Sequence, residues 1–373
     1  MPATGTGELV ALKLPRPALS DGLERVWETG GTALPLDPHL PESALRALLT
    51  RFRPDRLVTE EGVDRLPGAL PVDPEVAVVL ATSGTTGAPK GVELGWAALD
   101  AAARITNDAV GARDGDRWLC CLPPWQVGGF MTLVRSRTLG ARAVVHGRFD
   151  PDEIGSDAAT GFVSVVPTML TRLLASDVDL TRFQTILVGG DRADAAPIEQ
   201  ARAAGAHVIT TYGMTETCGG VVYDGAPLPE VHVSLTPDGV IAIAAPTLMH
   251  GYRLDHDSTR RALVDGRFIT NDRGEIDDDG RLVVLGRVDD VIVSGGHKVA
   301  PRRVEEALAE HPAVRRVSIE GVADPELGRR TVARISLHEG ARAPSLEEVR
   351  AFVAERLGAH HAPRQLIVER DDP

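Results

Sequence analysis

The stretch EVAVVLATSGTTGAPKG, Glu75 to Gly91, decides the fold. Its first half is an apolar, β-rich run of strand length, and its second half gathers three hydroxyl residues and two glycines ahead of a lysine, with a third glycine after it. Such a loop can turn its backbone N–H groups and hydroxyls toward phosphate oxygens. Ser83, Gly84, Thr85, Thr86 and Gly87 are therefore candidate phosphate contacts, and Lys90 adds a positive charge. The P-loop spacing G-x-x-x-x-G-K-[ST] is absent, because Lys90 follows Pro89 and precedes Gly91. The chain holds only three lysines, Lys13, Lys90 and Lys298, among 40 basic residues. One of those three sits in this loop.

Outward from that strand, residues 75 to 215 alternate short apolar runs with helical stretches, the pattern of βαβ units in a parallel sheet. The expected strands are 75–82, 117–122, 141–146, 161–167, 184–190 and 206–212. The expected helices are Trp96 to Val110, Gly129 to Leu139, Thr168 to Ala175 and Ala195 to Ala204. After Gly220 the sequence turns to short strands with hairpin signals at Asp238-Gly239 and Asp279-Gly280. The tail reads as strand DVIVSG, a helix from Pro301 to His311 with Val304, Ala307, Leu308 and His311 on one face, two strands, and a final helix. That helix opens on the capping box Ser345-x-x-Glu348 and ends before Gly358. The first 70 residues, with Pro15, Pro17, Pro35, Pro38, Pro41 and Pro54, read as irregular. The expected fold is α/β, with a large N-terminal domain (1–287) of parallel sheets, helices and antiparallel β, and a small α+β C-terminal domain (288–373).

The chain has 373 residues, of which 43% are hydrophobic and 25% charged, a globular composition long enough for about two domains. A formal net charge of −13 argues against a nucleic-acid partner. Cys120, Cys121 and Cys218 show neither a disulfide framework nor metal-ligand spacing. The N-terminus lacks an apolar h-region and no stretch suits a membrane span, so the expectation is a cytoplasmic protein without membrane insertion; a homodimer is left open.

Three further elements carry chemistry. TTYGMTETCGG, Thr210 to Gly220, ends a strand, where ligands of open parallel sheets bind. In it Thr215 can donate to phosphate, Glu216 is a natural carboxylate for Mg²⁺ and Tyr212 can stack on a base. Thr270-Asn271-Asp272 places a carboxylate that can accept from ribose hydroxyls. GRVDDVIVSGGHKV, Gly286 to Val299, spans the proposed domain boundary.

These four elements, in this order, resemble the adenylate-forming superfamily of acyl- and aryl-CoA synthetases, adenylation domains and luciferases, over residues 75 to 365. The resemblance implies a two-step reaction: ATP activates a carboxylate to an acyl-AMP, and CoA then takes the acyl group. It implies that Ser83 to Lys90 hold the β- and γ-phosphates, that Gly189, Gly190 and Asp191 with Tyr212 and Gly213 line the adenine pocket, and that Thr215 contacts phosphate. Glu216 would bind Mg²⁺, Asp272 the ribose, and Arg287 the nucleotide. Asp289 would be the hinge of the small domain, and Lys298 would lie in the region that swings toward the CoA channel.

Within that superfamily, TTYGMTETCGGVVYDG, FVSVVPTMLTRLL and LVRSRTLGARAVV resemble the o-succinylbenzoate–CoA ligases of menaquinone biosynthesis in their short actinobacterial form. The implied small-molecule substrates are an aromatic carboxylic acid, ATP and CoA. The acid carries two carboxylates, and Arg135 or Arg172 is available for the unreactive one; the sequence leaves open that each is a surface charge. Trp125, Gln126, Val127, Gly128 and Gly129 would border the acyl pocket, with Thr211, Gly219 and Gly220. Trp125-Gln126 replaces a His-containing stretch of the family, which points to an altered carboxylate specificity. The family's terminal segment with its Gly-Lys pair is not matched before Pro373, which leaves two readings open, a truncated gene product or a weakened adenylation step; the alternatives are an aryl- or acyl-CoA ligase for another acid and a nucleotide-binding homologue with impaired adenylation.

Overall fold

The computed structural model describes residues 5–82, 89–157, 160–191, 194–288, 292–294 and 297–369. Prolines open the first helices rather than excluding them. Pro15 caps Arg16–Glu28, with Pro17 inside its first turn, and Pro41 caps Glu42–Phe52. A proline there has no intrahelical partner to lose. Residues 5–70 thus form regular structure, contrary to the expectation of irregular chain: strands Leu9–Leu12, Thr32–Pro35, Arg56–Val58 and Val63–Arg65 accompany the two helices.

Those strands extend a seven-stranded sheet whose order is Gly251–Tyr252, Lys90–Gly95, Val76–Thr82, Thr32–Pro35, Leu9–Leu12, Arg56–Val58, Val63–Arg65. Here a second expectation is corrected. Val76–Thr82 does not join the parallel run that follows it in sequence; it pairs antiparallel with Lys90–Gly95, Thr82 opposite Lys90. The glycine-rich loop therefore connects adjacent antiparallel strands. The parallel run is a separate sheet, ordered Ala226–Pro227, Gly219–Tyr223, Val208–Met214, Thr185–Val188, Phe162–Val165, Trp118–Cys120, Val144–Val145. It is antiparallel only at the Val208–Met214/Gly219–Tyr223 edge and beyond.

The strands read as unbroken apolar runs because both faces are covered. In the first sheet Val78 and Leu80 face one core with Leu19, Leu23, Leu99, Phe130 and Val134, while Val79 faces another with Leu45, Leu48 and Phe52. The helices Arg16–Glu28, Trp96–Val110 and Val127–Thr138 fill the first core, which also takes Cys120 of the second sheet. The far side of the second sheet packs on Ile154, Leu170, Leu173, Ile198 and Ala201. No described helix is long and apolar enough to cross a membrane.

The chain forms two compact units, Met1–Val233 with Ile243–Ile269, and Ser234–Ala242 with Thr270–Pro373. In the second, Val314–Asp324, Gly328–Leu337 and Gln365–Val368 build a sheet with Ile292–Ser294 and His297–Val299. Val304, Ala307 and Leu308 of Pro301–Ala309 are buried, and His311 packs edge-on against Phe352 at 4.8 Å. The Ser345–Glu348 capping box is formed in both directions, at 3.2 and 2.7 Å. These bonds and Arg342 hold the Glu348 carboxyl down to about 2.

One buried polar network ties the helices between the sheets to the second sheet. Trp118 Nε1 donates to Asn107 Oδ1 at 3.0 Å, and Asn107 Nδ2 donates to the Arg135 carbonyl at 3.1 Å and to Thr138 Oγ1 at 3.0 Å. Asn107→Ala strands the buried indole N–H of Trp118, while the Arg135 carbonyl keeps only the Thr138 hydroxyl at 2.9 Å. The expected loss is about 3 kcal/mol of unfolding free energy, read as a lower urea midpoint with an unchanged slope.

Candidate functional site

Lys90 begins the strand Lys90–Gly95, so its backbone is fixed by the sheet. Glu216 lies in the tight helical turn Thr215–Thr217, which follows Val208–Met214. Thr217 Oγ1 closes that turn, accepting from the Met214 N–H at 3.0 Å and donating to the Gly219 carbonyl at 2.7 Å. The segment 249–253 joins the two. Met249 N–H donates to the Glu216 carbonyl at 2.8 Å, His250 N–H to the Glu93 carbonyl at 2.8 Å, and Arg253 N–H to the Gly91 carbonyl at 2.7 Å. Between them Tyr252 receives Lys90 Nζ over its ring, 4.5 Å from the centroid, and donates its hydroxyl to Glu216 Oε1 at 2.8 Å.

Tyr252 is a residue the sequence reading missed. Its partner Glu216 is 36 positions away, so no local spacing announces the pair. The available signal was scarcity, since the chain holds only three tyrosines. Burial, and then the Glu216 carboxylate, push its phenol far above the ordinary tyrosine value, so it remains a donor. Arg253 anchors the segment, donating from Nε to the Phe52 carbonyl at 3.1 Å and from Nη1 to the Pro71 carbonyl at 2.7 Å, and lying 3.6 Å from Glu93. Burial raises the Glu93 carboxyl, and Arg253 opposes that rise.

Among the described residues no group of three or more His, Cys, Asp or Glu could hold a metal ion. A single carboxylate with one oxygen taken by a hydroxyl instead fits Mg²⁺, which is commonly held by one or two carboxylates together with substrate phosphates. The three cysteines are free and buried; burial pushes the thiols of Cys120 and Cys121 up to about 11 and about 12, and that of Cys218 higher still. None is a thiolate nucleophile at neutral pH.

The neighbouring strand ends hold the other nucleotide candidates. Gly189, Gly190 and Asp191 follow Thr185–Val188, and Thr211, Tyr212 and Gly213 lie in the adjacent Val208–Met214. A side chain at Gly213 would put its Cβ 2.0 Å from the Gly219 carbonyl. Only glycine lets the chain bulge there, between Tyr212 and Gly213, before the turn that carries Thr215 and Glu216.

The acyl candidates lie at the start of Val127–Thr138 and on the paired strands Val208–Met214 and Gly219–Tyr223. Gln126 is exposed and caps Val127–Thr138; Gly129 inside that helix has room for no side chain, its Cβ position lying 2.3 Å from the Pro123 carbonyl. Trp125 packs under the Arg16 guanidinium at 5.7 Å. A Cβ at Gly219 would lie 3.8–3.9 Å from Met131, Arg135 and Val127, so that strand start faces this helix; one at Gly220 would meet Thr211. Arg135 is 4% exposed, yet no carboxylate pairs with it among the described residues. Its Nη1 donates to Ser164 Oγ at 3.1 Å, its guanidinium stacks over Trp118 at 4.8 Å, and its Nε has no partner. Burial lowers its pKa. Arg172, by contrast, is exposed and lies over Phe149.

Asp272 and Arg287 fall in the second unit, where they face each other across antiparallel strands with Arg287 Nη1 3.8 Å from Asp272 Oδ1. Ser83, Gly84, Thr85, Thr86, Gly87 and Asp289 lie outside the described residues, as does the side chain of Lys298, whose backbone pairs with Val293.

Residues 67–253 match the AMP-binding enzyme family and residues 303–373 match the AMP-binding enzyme C-terminal domain. The chain is 40% identical over 342 residues to a probable 2-succinylbenzoate–CoA ligase of Mycobacterium tuberculosis, covering 87% of this chain and 88% of that one. Its fold is similar to o-succinylbenzoate CoA synthetase of Bacillus subtilis in complex with the acyl-adenylate intermediate, with a TM-score of 0.82 and 27% identity over 99% of this chain and 86% of that one. The same synthetase in complex with ATP and a magnesium ion gives a TM-score of 0.82 at 26% identity, over 99% of this chain and 87% of that one. The ordered motifs, the α/β fold and these likenesses agree: the chain belongs to the AMP-binding enzymes of the adenylate-forming superfamily, among the 2-succinylbenzoate–CoA ligases.

Proposed function

We infer that this protein joins o-succinylbenzoate to CoA in menaquinone biosynthesis, using ATP and Mg²⁺ and releasing AMP and pyrophosphate. The reading also puts it in the cytoplasm. The observation that carries the substrate is Arg135, a buried guanidinium without a carboxylate partner, aimed at the wall where Gly219 meets the helix Val127–Thr138. An isolated buried charge costs several kcal/mol, and a ligand anion offsets that cost. A dicarboxylic acid supplies one, because only one of its two carboxylates reacts.

In the first half-reaction an oxygen of the reactive carboxylate attacks the α-phosphorus of ATP. The bond from that phosphorus to the bridging oxygen breaks, and pyrophosphate leaves. Both reactants are anions, so fixed positive charge in the site lowers the barrier. Lys90 supplies it beside the loop Ser83–Gly87, Thr215 donates to phosphate, and Glu216 holds Mg²⁺. When bound, that ion neutralises and orients phosphate oxygens. Gly189, Gly190, Asp191, Tyr212 and Gly213 take the adenine, Asp272 the ribose and Arg287 the nucleotide. In the second half-reaction the CoA sulfur attacks the acyl carbon and AMP leaves. Rotation at Asp289, on the 1–287/288–373 division, brings the segment of Lys298 to the CoA side.

Incubation with ATP, CoA and o-succinylbenzoate is expected to give AMP, pyrophosphate and the thioester in equal amounts; release of ADP contradicts the reaction, and clear preference for another acid in a panel of aryl acids contradicts the substrate. Arg135→Met is expected to lower kcat/KM for o-succinylbenzoate about 100-fold, as loss of a buried charge pair does at roughly 3 kcal/mol. A benzoate-type acid with a single carboxylate should lose far less. Equal losses for both acids would show that Arg135 does not read the second carboxylate.

A further inference from the structure

Tyr252 connects two groups that the proposed chemistry uses separately. Its side chain is 6% exposed, and it touches Lys90 with its ring and Glu216 with its hydroxyl. The two contacts are chemically distinct and lie on different atoms of one rigid side chain. The backbone around it makes the same connection: Met249 holds the Glu216 carbonyl and Arg253 holds that of Gly91, next to Lys90. The pairing of Gly251–Tyr252 with Lys90–Gly95, Tyr252 opposite Val92, fixes the ring's origin. Tyr252 is thus immobilised more firmly than either of its partners, each of which ends in a flexible chain.

We propose that Tyr252 is a positioning residue for the reaction: its hydroxyl locks Glu216 through Oε1 so that Oε2 is presented to Mg²⁺, and its ring seats Lys90 for the phosphates. This rests on the reading of Glu216 as the magnesium carboxylate. A charge-assisted O–H···O⁻ bond is among the stronger hydrogen bonds of a protein. It restricts a Glu side chain that would otherwise sample several rotamers, and the ordering is complete before metal arrives. The ring contact acts independently, since a cation held over an aromatic face within about 6 Å is attracted by the ring quadrupole. The two roles separate by substitution: Tyr252→Phe removes the hydroxyl and keeps the ring, while Tyr252→Leu removes both.

The test is calorimetric titration of Mg²⁺ into the full-length protein saturated with a non-hydrolysable ATP analogue, alongside binding of that analogue without metal and the melting temperature of the ligand-free protein. Tyr252→Phe is expected to weaken Mg²⁺ about tenfold, to leave metal-free binding of the analogue within twofold, and to move the melting temperature little. Tyr252→Leu should also weaken metal-free binding several-fold, and Lys90→Ala should do the same. Adding Tyr252→Phe to Glu216→Gln should weaken Mg²⁺ no further than Glu216→Gln alone. Unchanged Mg²⁺ affinity in Tyr252→Phe, with Glu216→Gln clearly weakened, overturns the positioning role. Unchanged affinity in Glu216→Gln overturns the reading of Glu216 itself.

Discussion

The site depends on a short antiparallel contact, Gly251–Tyr252 against Lys90–Gly95, and on the three carbonyls that the segment 249–253 holds through its N–H groups, those of Gly91, Glu93 and Glu216. Lys90 starts a strand of one sheet, and Glu216 sits in a turn that leaves the other. Two sheets packed through intervening helices could slide by an ångström at modest cost to either core. The segment removes that freedom, because a backbone hydrogen bond stretched by an ångström is lost. Its own position is set by Arg253, whose guanidinium reaches the carbonyls of Phe52, Leu70 and Pro71. The relative placement of an ammonium and a carboxylate is thereby written into backbone geometry instead of being left to side-chain rotamers. Preorganisation of this kind suits chemistry between two anions, in which catalysis comes mainly from charges already in place.

Much of this arrangement was legible in the sequence, and the reasons are local. The helix Trp96–Val110 lies between Gly95 and Gly111, the latter in the left-handed conformation that ends it, so both boundaries are spelled out by residues. The Ser345–Glu348 box marks its helix start in the same way. The turn that carries Thr215 and Glu216 and the α/β class follow from residue types at strand ends. What misled was punctuation read by type rather than by position. Pro15 and Pro41 resemble loop residues, yet each stands where a helix begins.

Sheet membership was not legible, because an apolar run such as Val76–Thr82 buries both faces equally well beside a parallel or an antiparallel neighbour. The difference between Arg135 and Arg172 was nearer the surface of the sequence. Val127–Thr138 is buried from Gly129 through Ser136, which encloses Arg135, whereas Arg137 in its last turn is exposed. Pro167–Leu174 buries only Leu170 and Leu173, so Arg172 faces water. Scarcity alone marks Tyr252 in the sequence, since the partners that give it meaning come from distant parts of the chain.

The burial of Arg135 also explains why that position holds an arginine. A lysine enclosed to the same degree loses its charge readily, since desolvation lowers its pKa into the neutral range. A guanidinium stays protonated, and its planar, weakly hydrated face accepts the Trp118 ring as partial replacement for water. Ser164 takes one N–H, while Nε remains without a protein partner. The indole that stacks on the guanidinium is in turn held by Asn107, whose side chain also bonds the Arg135 carbonyl. Stability and recognition therefore share one network: the hydrogen bonds that keep the helix on the sheet also fix the direction in which an unneutralised positive charge points. A site built this way is less stable empty than filled. In the proposed reading selectivity follows from that cost, because an acid with one carboxylate cannot both react and neutralise the arginine, whereas an acid with two can.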